Sequence, residues 1–298
     1  MADTTVSAST VEKKRINPQI ENFKNVWRKL RQNRLAMAGG FLIIFFCVAA
    51  VVGPWLTSND PNMPNVSDRL QGPSGEYWFG TDHHGRDIFT RLVHGMSITL
   101  RIGISSVIVG GTVGVFLGII SGYYGGRIDA VIMRSMDVLL AFPSILLALG
   151  IVAVLGGSIT NVIIAIAIFS IPVFARIVRG STLAVRKLEY IDAVRALGAS
   201  DARIIFLHIL PNIVSPIIVQ ATLFIATAVL SATGLSFLGL GATPPTPEWG
   251  AMLADGRNYM WDHPHIALFP GLAIALVVLA FNLFGDGVRD ALDPKLKS

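Results

Sequence analysis

Cysteine, charge and the signatures of catalysis are all scarce in this chain. Its one cysteine, Cys47, lies in an apolar run, so no disulfide can form within the chain. No Gly-Lys dipeptide occurs, which excludes the phosphate-cradling loop G-x(4)-G-K-[ST], and H-E-x-x-H is absent as well. Gly234-Leu235-Ser236-Phe237-Leu238 approaches a serine elbow but lacks the glycine required at its fifth position. These absences argue against an intramembrane enzyme and leave no catalytic residue to assign. Charged residues make up 14% of the chain and hydrophobic ones 52%, against roughly 25% and 45–50% in soluble domains. Such a composition suits a bilayer as solvent. The net charge of +5 does not point to nucleic acid, because the basic residues cluster in segments that abut apolar runs.

What is present is a series of long uncharged stretches. Leu35–Leu56 and the interval between Arg101 and Arg127 each suffice to cross a hydrocarbon core of about 30 Å. Between Asp137 and Arg176 lie 38 uncharged residues, which as one helix would extend roughly 57 Å. Gly156-Gly157-Ser158 divides that run into helices three and four. Helix five is expected near Ile213–Thr233 and helix six near Ile266–Phe284. The reading is an all-α polytopic membrane protein with six transmembrane helices.

Nineteen of the 24 lysines and arginines fall on one side of that arrangement, in segments that include both ends of the chain. Both termini are therefore expected to be cytoplasmic. The 34 residues before Leu35 argue against a cleavable signal, and the first span is expected to remain as a helix. The chain divides into an N-terminal arm (1–34), a first helix with its outer loop (35–97), and a five-helix core (98–298) with a cytoplasmic loop at 177–212. Within the arm, Phe23, Val26, Trp27 and Leu30 recur at helical spacing, the pattern of an interfacial helix; a solvated basic arm is the alternative. The outer segments, about 58–97 and 239–264, are candidate docking surfaces.

Three groups of residues stand out. Gly110, Gly114, Gly118 and Gly122 recur every four residues and leave one helix face bare, so another helix can approach closely. Gln220, Phe224, Thr227 and Ser231 share a face of helix five and suggest a wetted solute path, with helix–helix hydrogen bonding as the alternative. In the loop from Arg176 to Pro211, Tyr190–Leu197 has helical composition, Gly198 suits a left-handed helix end, and Ser200 can cap a second helix from Asp201. Two short helices around a corner can transmit a push from a soluble partner; a plain basic loop retained for topology is the alternative.

Asp192-Ala193-Val194, three residues, Gly198, nine residues, then His208-Ile209-Leu210-Pro211 resembles the loop signature of binding-protein-dependent ABC importers, E-A-A-x(3)-G-x(9)-I-x-L-P. Asp192, Val194 and His208 depart from it. Further stretches narrow the resemblance to the second permease of dipeptide, oligopeptide and nickel importers: Phe79–Asp82 with Gly85-Arg86-Asp87, Leu235–Gly241, Pro244–Gly250, and Asn282–Pro294. The run Asn161–Gly180 is similar to glutathione-importer permeases. The resemblance implies a type I importer permease fold in a bacterial inner membrane and a homologous second permease. It also implies two ATPase subunits or one fused pair, which carry ATP and Mg, and an extracytoplasmic solute-binding protein. It places Asp192, Ala193, Leu197, Gly198, Asp201 and Pro211 at the ATPase-coupling surface, with no cofactor on this chain.

His83-His84 beside Asp82 and Asp87, and His263 with His265, offer metal-ligating types that would favour a nickel or metal-complex cargo. In the family pattern His83 and His84 fill variable positions, which favours loop histidines, with Arg86 and Asp87 ordering the outer loop. A channel would need a polar pore ring acting alone, and the corner loop separates a transporter from it. Asp137 is expected to pair with Arg134 or Arg176, and Asp286 with Arg289.

Overall fold

The computed structural model describes residues 26–57 and 59–292. Residues 26–32 form helix α1, with Leu30 buried beside Val288 and Ala291 while Trp27 stays exposed. Phe23 and residues 1–25 generally lie outside the described residues, as do 293–298. Asn33 then starts α2 (Arg34–Leu56), its Oδ1 accepting the N–H groups of Leu35 and Ala36 at 3.1 Å.

The next helix starts earlier than the uncharged run suggests. Asp87 caps α3 (Ile88–Tyr124) by accepting from the N–H groups of Phe89 and Thr90. The helix therefore carries Arg91 and Arg101 within it, and the boundary drawn at 97/98 falls inside α3. Counting uncharged residues fails here because Arg91 is buried and faces Asp82.

The third expected helix is a bent pair. α4 (Gly126–Leu140) and α5 (Ser144–Leu155) meet at 87°. Pro143 disfavours helical geometry at Phe142 and has no N–H to continue the ladder. Arg176 and Arg179 lie within one turn of α6 (Ile159–Arg186), yet their partners Asp137 and Asp129 are eight residues apart on α4. The break at Gly156–Ser158 stands where expected: Gly156 has φ +91° and Ser158 caps α6 through the Asn161 N–H.

Beyond α6 come α7 (Glu189–Ala196), α8 (Asp201–Ile204), a wider π turn (Ile205–Ile209), α9 (Leu210–Phe237), α10 (Trp249–Gly256) and α11 (His265–Leu292). Pro211 accounts for the π turn, because it offers no N–H to the carbonyl four residues back and its ring crowds that group. Among the described residues, five helices are long and apolar enough to cross a membrane, and the α4–α5 pair makes a sixth if it crosses as one broken span. The architecture is all-α and polytopic.

The tightest seam in the chain joins α3 to α6. A Cβ at Gly110 would come within 2.4 Å of the Ala167 carbonyl, at Gly114 within 2.6 Å of that of Ile171, and at Gly118 within 2.6 Å of that of Ala175. Gly122 meets Thr182 in the same way. The bare glycine face is thus filled by a helix of the same chain. α11 packs between α2 and α9, and α10 closes one end of the bundle against α3 and α11.

Candidate functional site

The corner between α6 and α9 is built as a rigid cap. At its turn the Gly198 N–H donates to Arg195 O at 2.9 Å and the Ala199 N–H to Val194 O at 3.3 Å. These two bonds form a Schellman motif, which requires the left-handed residue supplied by Gly198 at φ +84°. Ser200 then caps α8 through the Arg203 N–H. Underneath, Ile191, Ile204, Ile209 and Ile213 are buried in one cluster with Ile119 of α3 and Val178 of α6. The outer side shows Asp192, Ala193, Leu197 and Gly198, with Leu197 88% exposed. A large apolar side chain so exposed on a polar corner is suited to burial by another surface. Pro211 lies beside the corner on the exposed start of α9.

Asp201, expected at the docking surface, is exposed, and its Oδ1 also accepts the Tyr123 hydroxyl at 2.6 Å. The guanidinium carbons of Arg195 and Arg186 lie 5.8 and 5.9 Å from the Tyr123 ring centroid. Nearby, Asp129 receives Arg179 and the Ser121 hydroxyl, while Arg176 pairs with Asp137 at 2.8 Å. Asp137 takes Arg176 as its partner rather than Arg134. Among the described residues no ion pair joins Asp286 to Arg289, and Arg289 lines a groove beside α9. No sequence motif marks Tyr123 or Asp129 as functional. Gly125-Gly126, which ends α3 and places them at its turn, is the signal that could have found them.

The supposed path stripe on α9 divides. Phe224 is buried against Phe169 and Phe174, with ring centroids 5.9 and 5.8 Å away, so it belongs to the core rather than to a wetted face. Thr227 is exposed and Ser231 half-buried. Gln220 lines a groove of about 630 Å³ with Asn212, Ser215, Leu223 and Arg289.

At the far end of the bundle, Asp82 is the hub of a buried polar network. It accepts from Arg86 Nε at 2.7 Å and from the backbone N–H groups of His84 and Arg86, with Arg91 Nε at 3.6 Å. Arg91 also donates to the carbonyls of Pro61 and Pro245, which fastens the segment before α3 to the one before α10. Glu248 is wholly buried as the cap of α10. Burial pushes its carboxyl up, against the pull of the Gly250 and Ala251 N–H groups. His83 stacks on Tyr259, and burial, assisted by His84, holds it below its ordinary range. His265 Nε2 lies 3.4 Å from the Thr81 carbonyl. Among the described residues, no three potential ligands converge on a metal position. Arg86→Met should remove the closest side-chain partner of Asp82, leaving it the His84 and residue-86 backbone N–H groups and the more distant Arg91, and cost about 1–3 kcal/mol. The expected readout is a lower unfolding temperature with faster proteolysis between residues 59 and 87; an unchanged variant would contradict the role given to this network.

Residues 114–298 match the family described as binding-protein-dependent transport system inner membrane component. Residues 22–73 match the N-terminal TM domain of oligopeptide transport permease C. The chain is 52% identical over 279 residues to a dipeptide transport system permease protein of Alkalihalophilus pseudofirmus, covering 94% of this chain and 92% of that one. It is 50% identical over 277 residues to a glutathione transport system permease protein of Pectobacterium atrosepticum, covering 93% and 92%. Its fold is similar to a chain of the MetNI methionine ABC transporter in an inward-facing form. There the TM-score is 0.55 at 20% identity, covering 68% of this chain and 96% of that one.

Proposed function

The chain belongs to the family of binding-protein-dependent transport system inner membrane components, and from that membership we propose that it is one half of the translocation path of an ATP-driven importer of dipeptides, or of the tripeptide glutathione. It is a multi-pass permease of the bacterial inner membrane and not an enzyme. The observation that carries the cargo reading is identity of 50–52% with relatives named for dipeptide and glutathione transport, sustained over more than nine-tenths of the chain.

In this reading the α4–α5 pair counts as one broken span, giving six spans and placing both termini and the α7–α8 corner in the cytoplasm. That orientation agrees with nineteen of 24 basic residues lying on the corner's side. Of two ATPase subunits, which hold the ATP and Mg, one binds this corner. A homologous second permease completes the path, and an extracytoplasmic solute-binding protein delivers cargo to the α10 end. Ala193, Leu197 and Gly198 form the docking face, with Asp192 at its edge. A strain lacking the chain should lose uptake of labelled dipeptide or glutathione, regain it on complementation, and keep its nickel uptake. Undiminished peptide uptake would contradict the assignment.

The division of the α9 stripe allows a finer test. In a Cys47→Ser background, cysteines at Gln220, Thr227 and Ser231 should react with small aqueous thiol reagents during turnover, whereas one at Phe224 should react at least about tenfold more slowly because its site is buried. Equal reactivity at all four positions, or none at any, would place the path elsewhere.

A further inference from the structure

The corner is joined to the bundle covalently through α6 and α9, and its buried isoleucines pack against Ile119 of α3 and Val178 of α6. The directional polar joint to α3 is the bond from the Tyr123 hydroxyl to Asp201 Oδ1, 2.6 Å long between residues 78 apart in sequence. Tyr123 is 3% exposed and sits at the last turn of α3, so any displacement of α8 bears directly on the end of that helix.

α3 is suited to carry such a displacement. Proline interrupts α2, α6, α9 and α11 at Pro54, Pro172, Pro216 and Pro270, and α9 also begins at a π turn; α3 has no proline in 37 residues. Missing backbone bonds and ring clashes are what make helices bend, so α3 is the stiffest connection from end to end. Its glycines do not loosen it, because their bare face is locked onto α6.

Its other end is also fastened. The Trp249 indole N–H donates to Leu92 O at 2.9 Å, and Trp249 is completely buried. Gly95 lies so close to the Pro247 carbonyl that a Cβ would come within 2.0 Å of it, and Arg91 donates to Pro245 O at 3.2 Å. The segment 245–249 thus rides on the first turns of α3.

We propose that Tyr123 is a positioning residue that hands movement of the α7–α8 corner to α3, and that α3 carries it as one rod, about 55 Å long, to the Pro245–Trp249 segment at the opposite end. The inference rests on the reading of the corner as the ATPase-docking surface. By this route α6, locked along α3 at the glycine seam, travels with it, and α9, although covalently continuous with the corner, is not the principal link between the two ends. Signals in both directions use the same joint: solute delivery at the α10 end reaches the ATPases through α3 and the Tyr123–Asp201 bond.

The test uses the complete importer in proteoliposomes, with ATP hydrolysis, peptide uptake and stimulation by loaded binding protein measured together. Tyr123→Phe keeps the ring beneath Arg186 and Arg195 and removes only the hydroxyl, which donates to Asp201 and accepts from Arg195. It should assemble normally and hydrolyse ATP, but import about tenfold less peptide per ATP, the scale of losing one charge-assisted hydrogen bond. Stimulation by the binding protein should fall with it. Asp201→Asn, which keeps a carbonyl acceptor, should be milder than Asp201→Ala. The Tyr123→Phe, Asp201→Ala double variant should be no worse than the more severe single one. Wild-type coupling in Tyr123→Phe, or additive losses in the double variant, would overturn the proposal. Loss of ATPase co-purification would show a docking contact instead and would overturn it too. A wild-type complex that hydrolyses ATP without importing would refute the functional reading itself, and the inference with it.

Discussion

Gly198→Asp should insert into the membrane at normal abundance and lose ATP-driven uptake by at least about tenfold. A Cβ at Gly198 meets nothing within 4 Å, so the substitution causes no clash within the chain. Its cost to the isolated fold is the left-handed backbone, about 1–2 kcal/mol for a residue with a Cβ. The buried isoleucines beneath the corner do not touch that position and should stay packed. What changes is the outer side. A carboxylate projects from the turn beside the exposed Leu197, on the side that a partner would cover. A docked surface would have to desolvate it, which without a partner costs several kcal/mol. Gly198→Ala shares the backbone strain and lacks the charge, so it should keep much of its uptake. Uptake, ATPase co-purification and membrane abundance measured together separate docking from folding. Near-normal uptake in Gly198→Asp would leave the corner with no role beyond topology.

Gly114→Leu acts on the fold instead. Even the first carbon of the new side chain would come within 2.6 Å of the Ile171 carbonyl and of Phe174 Cβ, and a carbonyl inside an adjoining helix cannot swing aside. Overpacking typically costs 1–3 kcal/mol where side chains can adjust; here the backbones must part, so about 3 kcal/mol or more is expected. The seam is internal to one chain. The variant should therefore show reduced monomer stability in detergent and loss of folded protein, not merely a failure to join a partner. Gly111→Ala is the control, because a Cβ there meets only the Phe174 ring at an ordinary 3.5 Å. Equal melting temperatures for Gly114→Leu and Gly111→Ala would contradict the seam.

The features legible in the sequence are those governed by local chemistry. Ser200 caps α8 with its own side chain, and Gly156 and Gly198 take the positive φ that their turns demand. The glycine stripe on α3 announced a close approach, although periodicity could not say which helix would fill it. What escaped depends on contacts between segments. Counting uncharged residues placed the start of α3 too late and ended α6 at Arg176, because it treats every arginine as a boundary. Arg91 lies buried facing Asp82, and Arg176 and Arg179 continue α6 while paired with α4. The 87° bend had a local cause in Pro143, overlooked beside the more conspicuous Gly156-Gly157. Phe224 shares a helix face with Thr227, but only the positions of Phe169 and Phe174 reveal that it is buried. The Tyr123–Asp201 bond spans 78 residues, a separation no periodic pattern reports.

The central claim is that this chain moves peptide inward only in concert with ATP hydrolysis on partner subunits. It is tested most directly by labelled dipeptide accumulation in proteoliposomes that contain the permease pair and ATPases, with binding protein and peptide on the outer side. Accumulation above the external concentration should require ATP, the binding protein and this chain, and should fall to background when any one is omitted. Peptide that merely equilibrates without ATP, or ATP-driven accumulation that persists without this chain, would contradict the account.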